Sequence, residues 1–113
     1  MKMIVAQTLD AAREAAETAA PGDGSKPWSH DPGAPDPASS SALGAALVAF
    51  EAVAETERPE SLLLCDDSEP SLAAALVASK LLIPTEALPA AHDDRTANGR
   101  VLAQLTAAYT APA

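Results

Sequence analysis

Three polar residues, Asp66, Asp67 and Ser68, follow the apolar run 61–65 and precede an alanine-rich segment of helical character. In open α/β sheets, ligands bind at the carboxyl end of a strand, where a helix N-terminus presents its free N–H groups. The same residues could instead cap the helix and complement its dipole. A Mg²⁺ site is a third interpretation, but two acids without further ligands do not define one, and no metal is predicted. Asp67 and Ser68 are therefore candidate ligand-binding residues.

Other residue types that often carry out catalysis are scattered along the sequence. His30 lies in a proline-rich stretch and His92 precedes two aspartates, so both are predicted to be solvated loop residues. The single cysteine, Cys65, has no second cysteine for a disulfide or a zinc site and no histidine near it in sequence. We expect it to be a small core residue, since burial raises the pKa of a thiol.

The elements that would position these residues alternate along the chain. Short apolar runs predict strands over 1–6, 61–65 and 83–88, with a further terminal strand over 109–111. Helices are predicted over 10–20, 41–57, 71–82 and 98–108. Strands separated by helices imply parallel pairing and right-handed crossovers. The predicted fold class is α/β, a small three-layer Rossmann-like sandwich of three or four parallel strands flanked by helices.

The length of 113 residues predicts one domain, residues 1–113. Within it, the stretch 21–41 contains five prolines and three glycines among serines and aspartates. Such a composition buries too little apolar surface to order itself, so 21–41 is predicted to be a loop or linker.

The charge balance narrows the classes of partner. The chain has 16 acidic and 7 basic residues, for a formal net charge of −9. That charge opposes nucleic acids and anionic lipids, and no basic cluster offsets it. No apolar run approaches the length of a membrane span, and no signal-peptide pattern opens the sequence. We therefore expect a cytoplasmic protein that binds neither nucleic acid nor membrane.

Several motifs resemble those of a known enzyme family. The sequence R-P-E-S-L-L-L-C-D-D-S over 58–68, S-L-A-A-A-L over 71–76 and I-P at 83–84 resemble K-P-D-x-V-x-V-x-G-D-T, S-L-A-A-A-L and I-P of the UDP-N-acetylglucosamine 2-epimerases. Asn98-Gly99-Arg100-Val101-Leu102 is similar to the family's N-R-R-L helix. The resemblance covers roughly 44–113 and implies a shortened N-terminal Rossmann-like domain of a GT-B-type fold. A small α/β domain with an alanine-rich composition that imitates these motifs is the rival interpretation.

The resemblance also implies site residues. It adds Asn98 and Arg100 to the ligand-binding candidates, with a sugar nucleotide as the ligand and no cofactor. Asp67 matches the aspartate of G-D-T and is the only catalytic candidate. The glutamate of the family's H-V-E-A-G motif falls at Pro89, the acidic pair of E-E-x-N-R falls at Arg95 and Thr96, and the first arginine of that motif falls at Gly99. Since positioned acids and bases contribute much of such a rate, we expect the isolated chain not to catalyse epimerisation.

These observations predict a non-catalytic binding or assembly module that resembles the N-terminal domain of these epimerases. The alternative is one subunit of a split sugar-nucleotide epimerase or glycosyltransferase-like enzyme acting on UDP-N-acetylglucosamine. The family carries further strands where this chain has its proline-rich stretch, so the first strand is predicted to be an exposed sheet edge. An exposed edge invites pairing and so predicts a homodimer or a protein partner.

Overall fold

The computed structural model describes residues 1–19, 24–30 and 40–110. Its five strands are β1 Lys2–Val5, β2 Lys26–Trp28, β3 Ser61–Leu64, β4 Thr85–Ala87 and β5 Ala107–Ala108. Its α-helices are α1 Leu9–Ala19, α2 Ser40–Glu57, α3 Glu69–Leu81 and α4 Ala97–Leu105, and a short 3-10 helix spans Pro89–His92. The predicted α/β Rossmann-like fold is confirmed, with five described strands where three or four were expected.

All neighbouring strands of the sheet pair in parallel, in the order β2-β1-β3-β4-β5. The chain therefore leaves β1 in one direction to form β2 and then crosses back through α2 to form β3 on the other side of β1. The point between β1 and β3, where the direction of winding reverses, opens a crevice at the carboxyl ends of the strands. In doubly wound folds this crevice is the usual ligand site.

The core is built from small aliphatic side chains on both faces of the sheet. Its larger cluster centres on the fully buried Phe50 of α2 and includes the buried residues Met3, Val5, Ala54, Leu62, Leu64, Leu72, Ala74, Ala75, Val77, Ala78, Ala87, Ala91 and Leu102. The opposite face carries a smaller cluster in which Ile4 and Leu63 pack against Ala15 and Ala16 of α1. Successive residues of β1 and β3 thus belong to opposite clusters, as expected when side chains alternate between the two faces of a sheet.

The prediction of a loop or linker over 21–41 is wrong at residues 26–28, which form β2 beside β1. Trp28 holds this strand in place because its ring packs edge-on against Phe50, with ring centroids 4.9 Å apart. Lys26 forms an ion pair with Glu57 at the end of α2. Residues 40–41 of the predicted loop begin α2, and its residues 21–23 and 31–39 lie outside the described part of the chain.

The prediction that the first strand is an exposed edge is also wrong, since β2 covers it. Among the described strands, β2 is the outermost one on this side. The Trp28 carbonyl accepts a hydrogen bond from the Ala6 N–H at 3.3 Å, so the polar groups of Trp28 face β1. Backbone groups alternate in direction along a strand, so those of Pro27 face outward, where proline has no N–H to donate. A proline at this position opposes addition of another strand.

The amino end of the sheet has a surface hollow and two residues with left-handed backbone. A hollow of about 470 Å³ lies there, lined by Ala54, Glu55, Arg58, Pro59, Leu81 and Ile83. Two non-glycine residues beside it have left-handed backbone conformations, Arg58 with φ of 48° and Leu82 with φ of 60°. Leu82 ends α3 and its side chain is 87% exposed. Within the described part of the chain, no helix is long and apolar enough to cross a membrane.

Candidate functional site

A cleft of about 760 Å³ lies at the carboxyl ends of β1, β2 and β3, at the switch point of the sheet. The turns after these three strands, the first turns of α1 and α3, two small residues of α2 and one residue of α4 form its walls. The lining residues are Gln7, Thr8, Leu9, Ser29, His30, Ala42, Ala46, Asp67, Ser68, Glu69, Pro70 and Asn98. The parallel topology alone brings these separate segments together.

Asp66 joins the turn after β3 to the end of β1. Its Oδ2 accepts a hydrogen bond from the Gln7 N–H at 2.8 Å. Its Oδ1 accepts from the N–H and the hydroxyl of Ser68 and from the hydroxyl of Ser71 at 3.0 Å. Ser71 is fully buried, so this carboxylate satisfies a hydroxyl that water cannot reach. Asp66 therefore fixes both sides of the switch point.

Asp67 is held by the start of α4. Its Oδ2 accepts a hydrogen bond from the Thr96 hydroxyl at 2.6 Å, and its backbone carbonyl accepts one from Asn98 Nδ2 at 3.0 Å. Asn98 Nδ2 also lies 3.3 Å from Glu69 Oε1. These contacts close one wall of the cleft by joining α3 to α4 through side chains.

Thr96 is also the N-cap of α4, and its hydroxyl accepts a hydrogen bond from the Gly99 N–H at 2.9 Å. This geometry brings α4 close to the backbone that precedes it. A Cβ on the buried Gly99 would lie 1.9 Å from the carbonyl oxygen of Asp93 and 2.7 Å from its carbonyl carbon. Position 99, where the resembling family has an arginine, therefore has no room for any side chain in this fold.

Of the predicted site residues, Asp67, Ser68 and Asn98 line the same cleft. Arg100 lies elsewhere, because its guanidinium Nη1 donates to the Asp94 carbonyl at 3.2 Å on an exposed surface. Two residues apart on a helix are about 200° apart around its axis, so Asn98 and Arg100 cannot face the same cleft.

Sequence reasoning missed His30 and Ser29 as cleft residues because it did not place the strand before them. The His30 ring is stacked beside that of Trp28, with centroids 6.4 Å apart and planes 16° apart. The Ser29 hydroxyl donates to the Gln7 carbonyl at 2.9 Å. A tryptophan inside a proline-rich stretch was the one signal that this segment packs against the core.

The prediction that His92 is a solvated loop residue is wrong. Its side chain is half-buried and Nε2 lies 2.7 Å from the Thr106 hydroxyl. That hydroxyl donates to the Leu102 carbonyl at 2.8 Å, so His92 Nε2 is the donor to Thr106. His92 joins the 3-10 helix to the end of α4 and does not line the cleft.

Cys65 lies at the end of β3 and is half-buried. Burial, with a smaller contribution from the negative charge of Asp66, raises the pKa of its thiol from 9.0 to about 11. The thiol is therefore protonated at neutral pH and is a poor nucleophile there. Across residues 1–19, 24–30 and 40–110, no group of three His, Cys, Asp or Glu side chains is arranged to hold a metal ion.

Comparison with known proteins finds no matching family model and no matching curated protein. Solved structures do match. The UDP-GlcNAc 2-epimerase of Methanocaldococcus jannaschii superposes with a TM-score of 0.74 at 20% identity, over 100% of this chain and 40% of that one. The Neisseria meningitidis enzyme bound to UDP-GlcNAc gives a TM-score of 0.67 at 18% identity, over 94% and 38%. The Rickettsia bellii enzyme gives 0.63 at 17%, over 93% and 36%.

The chain thus spans about 40% of the length of the first of these structures and a similar share of the others. At such identities the likeness concerns the fold. The resemblance predicted from the motifs over 58–84 and 98–102 is confirmed at that level, and the chain has the Rossmann-like α/β fold found in part of the UDP-GlcNAc 2-epimerases.

Proposed function

We propose that the chain is a non-catalytic binding or assembly module, whose binding site is the cleft at the switch point. The observation that carries this proposal is that the carboxylates of the cleft are hydrogen-bonded to neighbouring side chains of the protein. Asp67, the only residue matching a catalytic position of the resembling family, accepts a hydrogen bond from Thr96 and lies beside an Asn98 side chain that also contacts Glu69. These groups hold the cleft wall together, whereas an acid–base pair needs groups directed at a substrate.

The other positions implied by the resemblance offer no acid or base. Pro89 stands where the family has a glutamate, and it begins the 3-10 helix. Thr96 is an N-cap, and Arg95 pairs with Asp93 on the exposed surface. Gly99 has no space for the arginine that the family motif has there. Catalysis would therefore need groups supplied by another chain.

The lining of the cleft suits a neutral, hydroxyl-bearing ligand. It offers two carboxylates, two serine or threonine hydroxyls near the helix starts, and the Asn98 amide. None of the described residues that line it is a lysine or an arginine. A diphosphate binds best where cations or free N–H groups meet it. Because the M. jannaschii enzyme has been solved with UDP-GlcNAc and UDP, the sugar portion of a sugar nucleotide is the natural candidate ligand.

The alternative is one subunit of a split sugar-nucleotide epimerase or glycosyltransferase-like enzyme acting on UDP-N-acetylglucosamine. The position of the cleft favours it, since an open crevice at the carboxyl edge could be completed by a second, nucleotide-binding body. A homodimer or protein partner bound through a sheet edge is part of either proposal. Because Pro27 faces outward on β2, such pairing would use the β5 edge. A cytoplasmic location is part of the same proposal.

The test is a titration of the intact chain with UDP-GlcNAc, N-acetylglucosamine and UDP, followed by the fluorescence of Trp28 and by the melting temperature. Trp28 is a suitable reporter because its ring lies against His30 of the cleft. We expect N-acetylglucosamine and UDP-GlcNAc to shift both signals at millimolar concentration, and UDP alone to have a smaller effect. No shift with any sugar would contradict a binding role for this cleft.

Catalysis is tested in the same samples by NMR detection of the 2-epimer of UDP-GlcNAc. We expect none from this chain alone. Turnover by the isolated chain would overturn the non-catalytic proposal. Turnover only after addition of a separately produced C-terminal domain of one of the solved epimerases would favour the split-enzyme alternative.

A further inference from the structure

The end of β1 and the start of α3 together form a set of hydrogen-bond donors aimed at one point. These donors are the Gln7 N–H, the Ser68 N–H, and the hydroxyls of Ser68 and Ser71. They come from both sides of the switch point, the position at which doubly wound folds bind phosphate groups. In this chain the point they share is occupied by the carboxylate of Asp66.

The Asp66 carboxylate resembles a bound oxyanion, such as phosphate, in its charge and in the hydrogen bonds that it accepts. Both Asp66 oxygens are used, Oδ2 by β1 and Oδ1 by the α3 turn. Charge-assisted hydrogen bonds of this kind are stronger than neutral ones. Because the carboxylate belongs to the chain, its effective concentration at the donors exceeds that of any dissolved anion. An external phosphate would have to displace it.

The neighbouring charges act in the same direction. Asp67 and Glu69 lie on the same cleft wall, and none of the described lining residues is a lysine or an arginine. A phosphate that entered would meet the carboxylates of Asp67 and Glu69 on the cleft wall, with that of Asp66 next to them in sequence, and no lysine or arginine among the described lining residues. An uncharged hydroxyl group pays no such penalty and can donate to these oxygens.

We infer that Asp66 is the residue that determines the ligand class of the cleft: its carboxylate fills the oxyanion position at the switch point, so the cleft admits neutral polyhydroxy groups and rejects phosphate. This inference rests on the proposed use of the cleft as a binding site. It makes Asp66, which touches no proposed ligand directly, a specificity-determining residue acting through the donors that it occupies.

The experiment measures binding of inorganic phosphate by calorimetry and by melting temperature at constant ionic strength, for the intact wild-type chain, Asp66→Ala and Asp66→Asn. The alanine variant leaves the donors empty. The asparagine variant keeps the size of the side chain while removing its charge, so it decides the question if the alanine variant does not fold. We expect saturable phosphate binding by the variants, at least about tenfold tighter than by the wild type.

Asp67→Asn is the matched control, because it removes one negative charge from the neighbouring residue, which lines the cleft, but frees none of the four donors. Because Asp67 adds to the repulsion but fills none of the donors, we expect this variant to gain much less phosphate affinity than the Asp66 variants do. The inference is overturned if the Asp66 variants show no gain, or if Asp67→Asn gains as much as they do, since general charge would then be the cause. Failure of the wild type to bind any sugar would contradict the proposed function instead, and the two failures are therefore distinguishable.

Discussion

The two ends of the parallel sheet differ in how their turns are held. At the carboxyl end, the side chains of Asp66, Asp67 and Thr96 make hydrogen bonds that link the turns after β1 and β3 and the start of α4, with the Gln7 backbone N–H as the donor from the turn after β1. At the amino end, the turns before β3 and β4 border a hollow of mixed apolar and charged lining and contain the left-handed residues Arg58 and Leu82. The turns at the carboxyl end are thus linked by a network of side-chain hydrogen bonds, whereas the turns before β3 and β4 use left-handed backbone, with the Lys26–Glu57 ion pair also at this end.

This difference indicates at which positions amino-acid substitutions should lower the stability of the protein and at which they should raise it. Side-chain networks at the carboxyl end need particular atoms at particular distances, so substitutions there should be costly. A left-handed backbone at a non-glycine residue has a free-energy cost that glycine avoids, and Arg58 and Leu82 are both in this conformation. Substitution at the amino end can therefore stabilise the protein.

The largest expected effect is at Gly99. Because a Cβ would lie 1.9 Å from the Asp93 carbonyl oxygen, Gly99→Ala forces the α4 start away from the backbone before it. We expect the free energy of unfolding to fall by about 3 kcal/mol, through overpacking at a site that cannot relax without moving backbone. Urea unfolding followed by circular dichroism measures the change.

Gly44 is the matched control, since it lies inside α2 with nothing within 4 Å of the place where its Cβ would be. Gly44→Ala should stabilise the protein by about 1 kcal/mol, because alanine favours the helix. A Gly99→Ala protein as stable as the wild type would show that the carboxyl end is less rigid than its contacts indicate.

The next effect concerns Cys65, the thiol at the carboxyl end of β3. With its pKa raised from 9.0 to about 11, its thiolate fraction near pH 8 in the folded protein should be about 100-fold below that in the unfolded chain. Alkylation by iodoacetamide, followed by mass spectrometry with and without denaturant, measures this ratio. Equal rates in the two states would contradict the burial of the thiol.

The same shift has a consequence for stability. The pKa is higher in the folded state, so the unfolded chain loses its proton first as the pH rises. The contribution of Cys65 to stability is therefore constant below pH 9 and declines from about pH 9 to 11. Cys65→Ser should remove this part of the pH dependence.

The smallest effect tests the amino end. Leu82 has φ of 60° and an exposed side chain, so Leu82→Gly relieves the left-handed strain and gives up little burial. We expect the free energy of unfolding to rise by about 1 kcal/mol. Leu81→Gly, one residue earlier in helical conformation, should instead lower it by about 1 kcal/mol. If both substitutions change the free energy of unfolding in the same direction, the left-handed backbone at Leu82 is not a source of strain at the amino end of the sheet.

Much of the fold was predictable because periodicity and length define β3, α3 and α2 in the sequence. The site was predictable only in part. Asp67 and Ser68 follow a strand and precede a helix, so their place at the carboxyl edge could be inferred from local pattern. His30 could not, because β2 has three residues and is stabilised by contacts of Trp28 with Phe50, more than 20 residues away in sequence. Short edge strands depend on such tertiary contacts and leave little local signal.

Pro27 on β2 limits the addition of further strands to this edge of the sheet. Amyloid-like growth extends a sheet strand by strand, and each addition needs an N–H row facing outward from the last strand. At the centre of the outward-facing row of β2 is the nitrogen of Pro27, which carries no hydrogen. A second copy of this chain that approached the β2 edge would therefore find no N–H donor at that position. We therefore expect concentrated solutions of the folded protein to resist fibril formation from this side, and Pro27→Val to remove that protection.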